Sequence, residues 1–281
     1  MSATTSTTMF PKTRKLAWLM HLFLIGYSLL ILLPLTWVVM GALKTNREMF
    51  TDPIALPKDP NWGTFITAWD DGVRDYFFNS VIVSGFSVAL IVVISAMAAY
   101  ALTRLNFPFR RGLYLIIILC FAIPMHAVLV PIYVLLSDFG LLNTHAGLIL
   151  PYAAFGLPFS IILMYSFFYE FPTELEEAAK LDGCGPWRRL WHVVLPLSKP
   201  ILVSVAIFNL VSIWNEFLLA TIVMTSPEVQ TLPLGLVRFR DQYATNWPGM
   251  LAAITIGSLP LLAAFVAFQK YFIRSMAGMG K

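Results

Sequence analysis

The chain has 281 residues, of which 58% are hydrophobic and only 12% charged, with a formal net charge of +4. A soluble domain carries roughly 25% charged residues, so this composition excludes a disordered chain, a disulfide-stapled secreted domain and an ordinary water-soluble enzyme. The solvent for most of the chain is lipid.

In chain order, residues 1–15 read as a polar tail. The stretch 16–43 carries no charge over 28 residues and reads as a first transmembrane helix. Residues 44–75 form a loop on the far side. Five more apolar runs fill a core at 76–270: Tyr76–Thr103, Gly112–Ser137, Phe139–Tyr169, Ile201–Ser226 (interrupted once, by Glu216) and Gln242–Gln269. Residues 271–281 are a second tail. A helix crossing the ~30 Å hydrocarbon core needs about 20 residues, and every run meets that length. Strands of a lipid-facing barrel would be near ten residues long with alternating polarity. The expected fold is an all-α polytopic membrane protein with six transmembrane helices. Prolines 124, 131, 151 and 158 are expected to break or kink spans three and four. The basic start followed by an apolar run resembles a secretory signal. That run is too long and lacks a small-x-small cleavage site, so a retained span is expected.

Lysine and arginine in the loops set the orientation. The two tails and the second and fourth loops hold 13 of them, and the opposite side holds 6. The richer side is expected to be cytoplasmic, with both termini inside. No aromatic-interleaved basic stripe accompanies this excess, so nucleic acid is not an expected partner. Cys120 and Cys184 fall at different depths, with no metal-ligand spacing and no expected disulfide.

Enzyme signatures are missing. There is no phosphate-binding G-x-x-x-x-G-K-[ST], no H-E-x-x-H, and histidines 21, 126, 145 and 192 fall in four separate segments. Asp70, Asp71 and Asp75 are a carboxylate cluster of the kind that holds Mg²⁺ on a diphosphate. They stand beside Arg74 before span two, where a solvated acidic loop end is the plainer reading.

The loop 170–199 is the most informative stretch. It reads as two short helices. Thr173 and Glu176 have capping-box spacing, and Glu174, Glu176 and Glu177 suit the positive end of a helix dipole. Gly183 can take the left-handed conformation that closes the first helix. Gly185-Pro186 opens the second, with Trp187, Leu190, Trp191 and Val194 on one apolar face and Leu195-Pro196 at its end. An interfacial helix on lipid is an alternative. An anionic leaflet would repel four glutamates, however, and a projecting hairpin suits docking on a protein.

Glu177-Ala178-Ala179, Gly183, Val193 and Leu195-Pro196 resemble the E-A-A-x3-G-x9-I-x-L-P loop of ABC importer permeases, with Val193 in place of Ile. Asn79-Ser80, the stretch Tyr100 to Pro108, Gly140 to Thr144, Trp214 to Leu218, Thr231 to Gly235 and Phe268 to Phe272 are similar to its carbohydrate branch. Over residues 75–281 the chain resembles the G-type permease of maltose-class transporters, with one extra N-terminal span. The resemblance implies a type I importer permease in a prokaryotic inner membrane. It implies a second permease subunit and two ABC ATPase subunits that bind ATP and Mg, so this chain needs no cofactor. It also implies an extracellular solute-binding protein and a carbohydrate substrate. Glu177, Ala178, Ala179, Gly183, Leu195 and Pro196 are then the coupling contacts to the ATPase. The tail, through Gly278, Gly280 and Lys281, is a second contact, although Ser275 stands where the family has Gly.

Span five carries Asn209, Ser212 and Glu216 at spacings that share one helical face, with Trp214 and Asn215 alongside. A mid-span carboxylate costs about 2.5–3.5 kcal/mol and must face a partner or a wet cavity. One reading is a substrate path in which Trp214 stacks on sugar. The other is polar glue against the sister subunit. Two further function classes compete with the importer: an ion-coupled secondary transporter, with Glu216 as its acidic candidate, and a membrane enzyme built on Asp70, Asp71 and Asp75.

Overall fold

A computed structural model of the chain describes residues 14–239 and 245–278. Among these the regular structure is helical. The first helix, α1 (Arg14–Ala42), carries no charged residue after Lys15 and exposes most of its described side chains, as a lipid-facing helix must. Its last turn packs on α14 (Trp247–Gly278). That approach is close because Gly41 has no side chain: a Cβ there would lie 2.5 Å from Leu251 Cδ1.

Residues 44–75 are not the plain loop expected. They contain α2 (Asn46–Thr51) and α3 (Gly63–Ala68), followed by a π-helical turn over Trp69–Val73. The buried Lys44 ammonium donates to the carbonyls of Asp52 (2.8 Å) and Pro53 (3.0 Å), which fixes the turn after α1. Gly72, at φ +115°, absorbs the kink that joins this stretch to α4 (Arg74–Arg104). Charged Asp70, Asp71 and Asp75 therefore lie on helical backbone and not on a loop end. Counting charge-free residues misses this because charge ends a lipid-buried run without ending a helix.

Span three is bent by 88° between α5 (Arg110–Phe121) and the segment Met125–Asp138, which ends in α6 (Leu129–Asp138). Pro124 sits at that break, whereas α7 (His145–Glu170) runs unbroken through Pro151 and Pro158. The loop 170–199 holds α8 (Glu174–Leu181), α9 (Pro186–Arg189), a π turn at Leu190–Val194 and α10 (Leu195–Leu197). Pro196 does not end this helix as expected. The Leu195 N–H reaches Leu190 O across the π turn, which accommodates the missing proline donor. The stop comes at Ser198, with a 79° bend into α11 (Lys199–Trp214).

Span five is not one helix. It breaks after Trp214, resumes as α12 (Leu218–Val223), and is followed by α13 (Leu232–Gly235). Among the described residues, four helices are long and apolar enough to cross a membrane, or six if each bent pair is one span. The centre of the molecule is α4 laid along α7, with α11 against both. Lipid removes the hydrophobic drive between helices, so small residues carry such contacts. Here Ser84, Ser95, Ala96 and Ala99 of α4 and Ala153 and Ser160 of α7 are all buried.

Candidate functional site

Two sites stand out. At one end of the bundle, α8 and α9 form a hairpin. Gly183, at φ +79°, directly follows Asp182, the C-cap residue of α8. Its N–H donates to Lys180 O (3.0 Å) and the next N–H, Cys184, to Ala179 O (2.9 Å), the two bonds of a Schellman turn. A Cβ at Gly183 would meet no atom within 4 Å, so the turn faces open space. Leu181 beside it is 90% exposed. Glu177, Ala178 and Pro196 are exposed, and Ala179 and Leu195 half-buried, so these residues share the outward part of the hairpin.

The inward part corrects an expectation. Thr173 makes no side-chain cap on α8, and no capping box with Glu176 forms. Glu176 points into the bundle instead and is 3% exposed. It pairs with Arg104 at the end of α4 and accepts from Tyr100 Oη at 3.2 Å. Arg104 also donates from Nη2 to Phe171 O at 2.9 Å. No local signal marks this link, because its partners are 72 residues apart. Leu190 and Val194, on the expected apolar face of the second helix, are buried beside it, while Trp187 and Trp191 stay largely outside.

The second site is a cavity of about 210 Å³ between α7, α11 and the broken span three. Tyr152, Gly156, Asn209, Ser212 and Glu216 line it, together with Phe121, Phe155, Phe159 and Phe208. Asn209, Ser212 and Glu216 do meet here, but not as a stripe on one helix. Glu216 lies past the end of α11, in the break. Its carboxylate accepts from the N–H groups of Leu219 (2.9 Å) and Ala220 (3.2 Å) and from the Tyr152 hydroxyl. The break frees two backbone donors, and the carboxylate satisfies them. Asn209 donates to Ser160 Oγ (2.9 Å) and Val205 O (2.8 Å). Phe159 and Phe208 lie with ring centroids 4.3 Å apart on the cavity wall.

Trp214 and Asn215 do not join this group. The Trp214 indole is buried, donates to Gly257 O (3.0 Å) and packs edge-on to Phe77. It ties α11 to α14. Asn215 donates to Val211 O within its own helix (2.8 Å) and, with Trp214, borders a different cleft. Gly278 is the last described residue of α14, and Gly280 and Lys281 lie outside the described residues.

At the opposite end, the segments around Asn79-Ser80, Asn143 and Thr231 meet in a polar network. Asn79 donates to the carbonyls of Glu228 (2.9 Å) and Gln230 (3.0 Å), and its Oδ1 is bonded to the His145 ring (2.9 Å). Ser80 Oγ accepts from Leu232 N. Asn143, in the left-handed region, accepts from the N–H groups of Thr225 and Ser226, both at 2.8 Å. These bonds fold segment 224–235 back over the starts of α4 and α7. Gly235 permits it, since a Cβ there would lie 2.1 Å from the Tyr76 ring.

Known proteins resemble this chain in sequence and in fold. Residues 91–278 match the family described as binding-protein-dependent transport system inner membrane component. A probable ABC transporter permease protein, YurM, of Bacillus subtilis is 40% identical over 91% of this chain and 85% of its own length. The diacetylchitobiose uptake system permease protein NgcG of Streptomyces coelicolor is 36% identical over 94% of this chain and 88% of its own length. A solved bacterial ABC transporter involved in the import of the acidic polysaccharide alginate superimposes with a TM-score of 0.80. It has 22% identity and covers 95% of this chain and 100% of the matched one.

Proposed function

The chain belongs to the family of binding-protein-dependent transport system inner membrane components, and on that premise we propose that it is one permease subunit of an ATP-driven carbohydrate importer. It is a multi-pass membrane transport protein and not an enzyme. It contributes half of a translocation pore, beside a second permease. It receives sugar from an extracellular binding protein and is driven by two ABC ATPase subunits. The carbohydrate assignment is supported by relatives named for uptake of diacetylchitobiose and of sulfoquinovosyl glycerol.

The observation that carries the reading is the hairpin. Its Schellman turn, exposed Leu181 and outward Glu177, Ala178 and Gly183 make a convex, rigid knob fit for a groove on another protein. We assign to it the contacts to the ATPase, with Ala179, Leu195 and Pro196 shaping its flanks, and place it on the cytoplasmic side with both termini. The 13-to-6 distribution of basic residues supports that orientation. The tail residues Gly278, Gly280 and Lys281 are a second contact by resemblance alone.

The substrate path runs through the cavity, where Asn209 and Ser212 offer polar groups among four phenylalanines. Glu216 acts there through the backbone it holds. The same observation weakens the ion-coupled alternative, because the Glu216 carboxylate is engaged by three donors. Affinity purification of the chain from its native membrane tests the assignment. A second permease and an ATPase should co-purify, and a chain recovered alone in active form would contradict it.

A further inference from the structure

Helix α4 is one unbroken element of 31 residues, about 45 Å long at 1.5 Å per residue. It touches every functional part of the molecule. At one end Tyr100 and Arg104 hold the hairpin through Glu176 and Phe171. Midway, Ile91 packs against the bare backbone of Gly156 beside the cavity. At the other end Asn79 and Ser80 hold segment 228–232.

The two kinds of contact between hairpin and bundle differ. Leu190 and Val194 meet Phe168, Tyr100 and their neighbours in an apolar cluster, which is non-directional and tolerates sliding. The Arg104–Glu176 pair is directional: the guanidinium fork meets the carboxylate through Nε and the Phe171 carbonyl through Nη2. Both side chains are largely buried, at 14% and 4% exposure. A buried ion pair is a weak source of stability against an apolar replacement, because desolvation offsets the attraction. What it supplies is a fixed geometry between two elements.

We propose that Arg104 and Glu176 form a strut that makes the hairpin and α4 move as one body, so that displacement of the hairpin by the ATPase reaches the cavity wall and the far-end network. They are positioning residues: neither lies on the outward face assigned to the ATPase. The inference rests on the hairpin being the ATPase dock. A packed connection with a defined geometry at each joint is one physical carrier of coupling between distant sites.

The test uses the whole complex in proteoliposomes with ATP inside and sugar-loaded binding protein outside. The readouts are sugar carried per ATP hydrolysed and the amount of ATPase subunit retained. In R104Q and E176Q the ATPase should be retained at wild-type stoichiometry while sugar per ATP falls about tenfold or more, the scale of a buried pair broken at one partner. R104K keeps the charge but loses the fork that meets both Glu176 and the Phe171 carbonyl, so it should also lose most of the sugar carried per ATP. The R104Q/E176Q double variant should be no worse than the poorer single, since each change breaks the same link. Unchanged sugar per ATP in both single variants would overturn the strut. So would a loss of transport that follows the loss of assembled complex. A wild-type chain that retains no ATPase would overturn the importer reading itself, and the strut with it.

Discussion

Glu216 shows how far a residue's role depends on the backbone around it. On a continuous helix it would be a mid-membrane carboxylate in search of a partner. In the break after α11 it holds two backbone N–H groups and the Tyr152 hydroxyl. A glutamine keeps one acceptor oxygen and replaces the other with a donor, so Glu216→Gln leaves at least one of those three groups unpaired. It should destabilise the assembled complex by about 1–3 kcal/mol, seen as lower thermal stability in detergent, with Glu216→Leu worse. Equal stability of the glutamine variant would show that the carboxylate is not holding α12. Gly183 is governed by conformation alone. Its φ of +79° strains any β-carbon, while the space around it is open. Gly183→Ala should therefore cost only about 1 kcal/mol and leave transport largely intact. Gly183→Asp adds a charge to the docking surface and should release the ATPase, read by co-purification at equal membrane level. Retention of the ATPase and normal uptake by Gly183→Asp would remove the hairpin from the coupling contact.

Among elements, the hairpin was the most legible in the sequence, because its signals are local. Gly183 closes α8 and Pro186 opens α9 within a few residues of one another. Glu176 was misread as a capping residue because its true partner, Arg104, is distant in sequence. Spans three and five were legible as apolar runs but not as broken helices. Hydropathy records what lipid tolerates, and a break is tolerated wherever its freed backbone is satisfied, here by Glu216. The contact of α4 with α7 was equally invisible, since it depends on the absence of a side chain at Gly156. A Cβ there would lie 2.5 Å from Ile91 Cδ1 and 2.6 Å from Asn209 Oδ1. Gly156→Ala should force the helices apart, cost about 1–3 kcal/mol, and narrow the cavity. Slower uptake than the loss of complex explains would place the cavity on the substrate path. Uptake unchanged per complex would leave α7 with a packing role only.

At the scale of the whole molecule, one helix bundle carries the hairpin at one end, a polar network at the other and a cavity between. The orientation proposed for it rests on the distribution of basic residues. A reporter fused after Lys281 should be cytoplasmic and one inserted within 50–65 external, and the reverse would put the hairpin on the wrong side for ATP. The central claim, that this chain moves sugar only as part of an ATP-driven assembly, is tested most directly by transport. The chain is reconstituted in proteoliposomes with its second permease, ATPase and sugar-loaded binding protein. Sugar should accumulate only with ATP inside and the binding protein outside, and should still do so when ion gradients are collapsed. Accumulation by the chain without the ATPase, driven by an ion gradient, would contradict it.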